Sequence, residues 1–372
     1  MNPLLLAAAF LIYCSCSGCV ANVIKIEETV SDGTTNISAM NDTQRTDPEQ
    51  EFPNVAISLA TPPALASAEI LSYSTVCLYF TNSNSVSSAT GFYYSIPHPL
   101  HPSLHIPFIV CNKHATKDAL ATKIDVTLAS NSLPSVNSLP LTIDNSRFAW
   151  IHHPDPSVDL SALPIGVIWN ELEANGLRPF IIPMNTSIIP TDDYMKRITQ
   201  FDEVIMIGYP GGLRDEVNNQ PIFRRGSLAT SPLKNFGGER KFLVNMPVYS
   251  GSSGSPVLYL ASSGVFAGAP GDPGIRFDLR VKLIGINSAT YTSTVTGKVI
   301  PVPVPTVVED GSSPAIEPTE GETTGPQYRL ETLSNIPNSI GIIIHASCLK
   351  EMEPYILDRV LGGARNEEPG QE

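Results

Sequence analysis

Residues 242–260 read FLVNMPVYSGSSGSPVLYL, and the polar segment 251–256 (GSSGSP) within this stretch decides the predicted fold. The apolar runs on either side of the segment are predicted to be strands, so the segment itself is a sharp turn between them. Glycine at both flanks allows backbone dihedrals that a side chain would forbid, and the N–H groups of Gly251 and Ser253 can therefore point toward one place. The turn is predicted to expose the Ser253 hydroxyl beside two converging hydrogen-bond donors.

A serine held beside such donors is a candidate nucleophile for acyl transfer if a histidine and a carboxylate reach it from elsewhere in the chain. His114 is the candidate base because it closely follows a short apolar strand predicted at 107–111, where a side chain can be held rigidly. Asp159 is the candidate carboxylate, since it follows the extended stretch 148–151 and has apolar neighbours, which predicts partial burial. A buried carboxylate needs a partner, and an imidazole N–H satisfies it without cancelling its charge.

The order His114, Asp159, Ser253, with intervals of 45 and 94 residues, resembles the chymotrypsin/trypsin-like serine peptidases, in particular the bacterial-type trypsin-like peptidase domains. Five segments carry the resemblance: 108–115 (FIVCNKHA), 158–164 (VDLSALP), 204–210 (VIMIGYP), 221–230 (PIFRRGSLAT) and 251–257 (GSSGSPV). It covers roughly residues 65–348. Each segment is unspecific by itself, but their combination in this order is specific.

The resemblance implies a role for each candidate. His114 would act as general base and then as general acid, Asp159 would orient it, and Ser253 would attack the peptide carbonyl. The backbone N–H groups of Gly251 and Ser253 would hold the oxyanion. The implied fold is all-β, with two six-stranded Greek-key β-barrels and the active site between them. The implied function is a serine endopeptidase that acts on protein or peptide substrates without a cofactor.

Three further positions are assigned to the substrate cleft by the resemblance: Pro247, Asn287 and Ser288. Pro247 stands where trypsin-type enzymes place the acid that selects Lys or Arg, so a basic preference is not supported and the specificity pocket stays unassigned. Ser288 is expected near Asp159. Ser252 replaces the aspartate that pairs with a newly made amino terminus in cleavage-activated members, so activation by such an ion pair is not expected.

The negative charge of the chain is confined to three segments. Residues 20–60, 299–328 and 349–372 together carry the whole formal charge of −13, and the remaining body is neutral. No basic stripe occurs beyond Arg224 and Arg225, so nucleic acid is not a predicted partner. A chain of 372 residues with 42% hydrophobic content is long enough to bury two modest cores.

The amino terminus carries a short apolar run at 4–13, followed by small residues. Such a run is too short for a bilayer, which takes about 20 apolar residues, and it suits the core of a secretion signal. Residues 1–19 are therefore predicted to be a signal peptide of an exported protein, secreted or periplasmic. The alternative is that Cys19 becomes a lipidated first residue, in which case the protein would be anchored to a membrane.

The domain organisation follows from composition and strand spacing. The predicted units are an acidic flexible tether at 20–62, a peptidase domain at 63–348, and a short helix with a polar tail at 349–372. The peptidase domain divides into barrel one at about 66–163, a connection at 164–200, and barrel two at 201–348. A segment rich in proline and acids, 300–327, interrupts barrel two and is predicted to be a surface loop.

Several cysteines and histidines outside the triad offer other chemistry. The cysteines outside the signal segment are Cys77, Cys111 and Cys348. They are predicted to be buried thiols without a disulfide framework, although one bond among the three stays open. The histidines of one Pro-rich loop are His98, His101 and His105. They could bind zinc, but nothing in the sequence fixes their geometry, so no metal site is predicted.

Two other carboxylates and two other functions remain as alternatives. Asp144 and Asp155 compete with Asp159 for the orienting role, but each lies in a polar or Pro-flanked turn. One rival function is a catalytically silent barrel that binds protein partners through the cleft. The other is an α/β-type esterase, which would need His345 as its base and helices alternating with strands.

Overall fold

The computed structural model describes residues 8–12, 24–28, 55–59, 67–261, 265–267, 275–277, 280–298 and 331–362. Three sequence predictions fall outside these residues: the loop at 300–327, the lipidated Cys19 and the polar tail after residue 362. Of the predicted signal peptide, only residues 8–12 are described.

Nine strands of the first half form one sheet. They are β1 (Ala8–Ile12), β2 (Ile24–Glu28), β3 (Thr75–Thr81), β4 (Val86–Pro97), β5 (His105–Cys111), β6 (Ala121–Ser130), β7 (Leu133–Asp144), β8 (Ile151–His152) and β9 (Ser161–Pro164). Their order across the sheet is β2-β1-β7-β6-β3-β4-β5-β9-β8. The β1–β7 pair is parallel, and the other neighbours are antiparallel.

Eight strands follow in the second half. They are β10 (Glu203–Gly208), β11 (Ile222–Leu228), β12 (Lys241–Asn245), β13 (Pro256–Ala261), β14 (Val265–Ala267), β15 (Ile275–Phe277), β16 (Arg280–Lys298) and β17 (Glu331–His345). Six of them close into an antiparallel barrel in the order β10-β11-β12-β17-β16-β13. Strands β14 and β15 pair only with each other among the described strands.

The all-β class predicted from the sequence is confirmed, and the second half is a closed six-stranded barrel as expected. The first half differs from the expected six-stranded barrel, because the described strands form a nine-stranded sheet in which no ladder joins β8 to the opposite edge. A strand edge can hydrogen-bond to one neighbour. The outer edge of β7 pairs with β1, through Phe10↔Leu141 and Leu11↔Thr142, so it does not close a ring.

Helices are short and few among the described residues. They are α1 (Ser67–Ser72), α2 (Lys113–Thr116), α3 (Gly166–Ala174), α4 (Asp192–Met195) and α5 (Ser347–Gly362), with 3₁₀ turns at Thr186–Ile188, Pro210–Gly212 and Phe236–Gly238. Helix α5 begins two residues before the helix predicted at 349 and buries Leu349, Met352 and Ile356. None of the described helices has the length and apolar character to cross a membrane.

A shared apolar cluster joins the two halves. Phe92 and Phe108 enter it from the first sheet, Leu258 and Ile286 from the barrel, and Met352 from α5, and all five are fully buried. Burying one such side chain stabilises the fold by about 1.5–3 kcal/mol, so the two halves are held as one packed unit. This packing fixes the end of β5 relative to the start of β13.

The segment predicted to be a flexible tether, 20–62, contains ordered structure at two places, strand β2, which pairs with β1, and the surroundings of Ile57. Ile57 is buried and exchanges two backbone hydrogen bonds with His105 at the start of β5. The cysteines of the described chain, Cys77, Cys111 and Cys348, are buried free thiols, as the sequence predicted. Burial raises the pKa of both Cys77 and Cys348 to about 11, which keeps these thiols protonated and unreactive.

Candidate active site

His114 lies on α2, three residues after β5 ends. Its Nδ1 is 2.6 Å from Asp159 Oδ2, and its backbone N–H donates to Asp159 Oδ1 at 2.8 Å. The Asn112 side chain donates to the Asp159 carbonyl at 2.9 Å. The carboxylate therefore holds both the ring and the backbone of His114, which fixes the direction of the imidazole.

Asp159 lies just before β9 and is held from the second half as well. The Ser288 hydroxyl donates to Asp159 Oδ2 at 2.7 Å, as the sequence suggested for this serine. Burial by itself raises the pKa of Asp159, but the hydrogen bonds from His114 and Ser288 and the charge of His114 outweigh burial. The net pKa is below the ordinary value of an aspartate, so this carboxyl is ionised at neutral pH.

Ser253 meets the other side of the imidazole. Its Oγ is 3.1 Å from His114 Nε2 and 3.3 Å from the Ser288 carbonyl. Because the ionised Asp159 only accepts hydrogen bonds, Nδ1 carries the ring proton and Nε2 presents its lone pair to the hydroxyl. The three side chains, 139 residues apart at the extremes, form one continuous hydrogen-bonded chain.

The segment 247–255, which we call the serine loop, adopts backbone conformations that need glycine at two places. Gly251 has φ +82° and Gly254 has φ +87°, both in the left-handed region. A Cβ on Gly254 would also lie 2.1 Å from the Thr90 carbonyl oxygen. The glycines that the sequence marked as flanking the turn are thus required by both dihedral angle and space.

Five consecutive carbonyl groups of the serine loop accept hydrogen bonds. Tyr249 O accepts from Ser252 N, Ser250 O from Gly211 N, Gly251 O from Thr90 Oγ1, Ser252 O from Asn287 Nδ2, and Ser253 O from Thr90 N. In contrast, the N–H groups of Gly251 and Ser253 have no acceptor among the described residues. These two unused backbone donors beside the serine hydroxyl are available to a developing oxyanion.

Thr90 on β4 connects the first sheet to the serine loop. Its buried hydroxyl donates to Gly251 O at 2.9 Å and accepts from Tyr209 N–H at 2.9 Å. We expect Thr90→Val to destabilise the protein by about 1–3 kcal/mol, because two buried backbone groups lose their partner. The midpoint of urea unfolding measures this loss. Thr90→Ser, which keeps the hydroxyl, is the matched control, and equal midpoints for the two variants would contradict the role of the hydroxyl.

The three positions assigned to the substrate cleft have different surroundings. Pro247 is exposed, and its carbonyl accepts from Arg224 at 3.1 Å. Asn287, by contrast, is 1% exposed, and its side chain donates to Ser252 O, so it supports the serine loop and does not line an open cleft. Ser288 is 8% exposed and contacts Asp159.

The competing residues have other partners. Asp144 accepts from Ser146, Asp155 accepts from Ser157 and pairs with Arg240, and the His345 ring packs on Phe242. None of these three contacts His114 or Ser253 among the described hydrogen bonds. The described residues contain no group of three or more potential metal ligands, although His98 and His101 stack with ring centres 5.1 Å apart.

Two side chains that hydrogen-bond to the serine loop were not predicted from the sequence, those of Thr90 and Arg224. Arg224 had a readable signal, because Ile222, Arg224 and Leu228 share one face of a strand whose other face carries the exposed Phe223. A charged residue on the inward face of a barrel strand calls for a partner. Thr90 had no such signal, since threonine is common in strands.

No family model and no curated protein matches this chain. It is similar to the solved structure of the HtrA-type protease AlgW with tripeptide, at 15% identity and a TM-score of 0.40, over 77% of this chain and 61% of that one. It is also similar to the serine endoprotease from Yersinia pestis, at 13% identity and a TM-score of 0.37, over 78% and 64% of the two chains. Tobacco etch virus protease complexed with product gives 13% identity and a TM-score of 0.34, over 63% and 74%.

These similar structures are HtrA-type serine proteases and other chymotrypsin-like proteases. The alignment spans less than two thirds of the AlgW and Yersinia chains. At such identities and TM-scores the likeness supports no statement about activity, substrate or partners.

Proposed function

We propose that this chain is a serine endopeptidase that hydrolyses peptide bonds through an acyl-enzyme intermediate. One observation carries the proposal: Asp159 Oδ2, His114 Nδ1, His114 Nε2 and Ser253 Oγ are linked in series at 2.6 and 3.1 Å. Ser253 is the nucleophile, His114 the general base and acid, and Asp159 the group that orients the imidazole. Protein or peptide substrates are the proposed partners. Export is part of the proposal, on the basis of the apolar run at 4–13, and removal of residues 1–19 on export would take β1 away from the edge of β7.

The proposed reaction begins when His114 Nε2 takes the proton of the Ser253 hydroxyl as its oxygen attacks the carbonyl carbon. The N–H groups of Gly251 and Ser253 donate to the oxygen that becomes negative. His114 then gives its proton to the leaving amine. In the second half of the reaction, His114 takes a proton from a water molecule as the water attacks the acyl group, and it returns the proton to Ser253 Oγ as the acid leaves. General base catalysis contributes about 100- to 10,000-fold, and one oxyanion donor about 100- to 1,000-fold.

Covalent labelling with a fluorophosphonate tests the proposal, since such a probe forms a stable bond only with an activated serine. We expect the wild-type chain to label and the labelled peptide to carry the probe on Ser253. Labelling should disappear in Ser253→Ala and in His114→Ala. Ser250→Ala is the matched control, because Ser250 is exposed in the same loop and binds Gly211 only through its backbone carbonyl.

Two outcomes would oppose the proposal. Labelling that survives in Ser253→Ala would remove Ser253 as the nucleophile. A folded wild-type chain that never labels would favour the alternative, a catalytically silent protein that binds partners through the cleft.

A further inference from the structure

Arg224 occupies an unusual position in the barrel. It lies on β11 opposite Met206, on the face away from the exposed neighbours Phe223 and Arg225. Its guanidinium reaches the serine loop, where Nη1 donates to the Pro247 carbonyl at 3.1 Å and to Ser252 Oγ at 2.8 Å. The Nη1 group of Arg224 therefore holds the serine loop at two residues, Pro247 and Ser252, which stand six residues and one residue before Ser253.

The electrostatic surroundings of Arg224 do not explain its presence. Arg225 pairs with Glu203 and Arg214 with Asp125, whereas Arg224 has no carboxylate partner among the described residues. Its Nε and Nη2 are buried without a described hydrogen-bond partner. Burial lowers the pKa of this guanidinium to about 10. A desolvated cation without a paired carboxylate costs folding free energy that its hydrogen bonds must offset.

The contacts of Arg224 restrain the serine loop on both sides of its two oxyanion donors. Ser252 is fully buried, so holding its side chain restrains the peptide group 252–253, which carries the Ser253 N–H. The peptide group 250–251, which carries the Gly251 N–H, lies between Pro247 and Ser252, the two points at which Arg224 holds the loop. Asn287 holds the carbonyl of the same Ser252 from the other side of the loop. Ser252 therefore accepts hydrogen bonds through both its hydroxyl, from Arg224, and its carbonyl, from Asn287.

We propose that Arg224 is a positioning residue that keeps the serine loop in the conformation in which the Gly251 and Ser253 N–H groups are available to the oxyanion. The inference rests on the proposed peptidase function and adds a residue to it. Ser252 occupies the position before the nucleophile, and its hydroxyl accepts a hydrogen bond from Arg224. This hydrogen bond restrains the loop without a cleaved amino terminus.

The test compares Arg224→Met, which removes the donors, with Arg224→Lys, which keeps a charged donor, and with Arg225→Met as the matched control on the opposite face. We expect Arg224→Met to lower kcat for a peptide substrate by about 10- to 100-fold with little change in KM, less than the loss of a whole oxyanion donor. Arg224→Lys should recover part of the rate, and Arg225→Met should leave it unchanged. Ser252→Ala should lower kcat similarly, and adding it to Arg224→Met should cause little further loss.

Amide hydrogen exchange of the peptide 247–255 gives a readout that does not depend on activity. We expect faster exchange in Arg224→Met than in the wild type and in Arg225→Met. Unchanged kcat together with unchanged exchange in a folded Arg224→Met would overturn the inference. If Arg224→Met fails to fold, the kcat and the amide exchange of Ser252→Ala test the inference in its place, and unchanged values of both would overturn it.

The failure of the proposed function would look different. In that case the wild-type chain shows no turnover and no labelling, and hydrogen exchange alone decides about Arg224. Faster exchange in Arg224→Met would then still support its role in holding the loop, and unchanged exchange would exclude it.

Discussion

Ser253→Ala is expected to lower kcat for peptide hydrolysis by about a million-fold, the scale seen when the nucleophile of a serine triad is removed. The reason is that His114 Nε2, 3.1 Å from Ser253 Oγ, then has no hydroxyl to deprotonate and no acyl-enzyme can form. The residual rate should come from substrate binding and from the N–H groups of Gly251 and Ser253, which alanine retains. Single-turnover assays with a fluorogenic peptide measure both rates.

Two comparisons make the Ser253→Ala result specific. The urea midpoint of the variant should match that of the wild type, since the partners of the hydroxyl among the described residues are His114 and the Ser288 carbonyl. Ser250→Ala should retain the full rate. A folded Ser253→Ala variant that keeps measurable burst kinetics would show that another residue is the nucleophile.

Asp159→Asn is expected to lower kcat by about ten-thousand-fold with the fold intact, the scale of this substitution in a serine triad. An asparagine amide can donate to Nδ1, which favours the tautomer with the proton on Nε2. That nitrogen then cannot accept the Ser253 proton, although it remains 3.1 Å from the hydroxyl. The amide oxygen can still accept from the His114 backbone N–H, so we expect the position of α2 to be preserved.

The Asp159→Asn prediction is checked by kcat and by the nitrogen chemical shifts of His114, which report the tautomer. Asp155→Asn is the control, because Asp155 competes for the orienting role in the sequence but pairs with Arg240 in the structure. A similar loss in both variants would mean that general charge, and not the contact with Nδ1, is responsible. An unchanged kcat in Asp159→Asn would remove Asp159 from the site.

The fold class could be predicted from the sequence because the signals for β-strands are local. Strand spacing and the resemblance predicted an all-β peptidase domain, and the closed barrel from β10 to β17 agrees with that prediction. The nine-stranded first sheet was not readable, because β1 pairs with β7 across more than 120 residues and pairing at that distance leaves no periodic trace. The buried helix α5 was placed within two residues, since its apolar spacing is local.

The sequence by itself determined the residue types and the order of the candidate site: a hydroxyl in a Gly-flanked turn, a histidine after a short strand, and an aspartate among apolar residues. Each of these is a local pattern that the backbone chemistry of a few residues dictates. Only the tertiary structure decided that Thr90 and Arg224 hold the serine loop and that Asn287 is buried beneath it. These contacts join residues distant in the chain, and they depend on the packing of the two halves and on which way each strand faces, which no single stretch of sequence specifies.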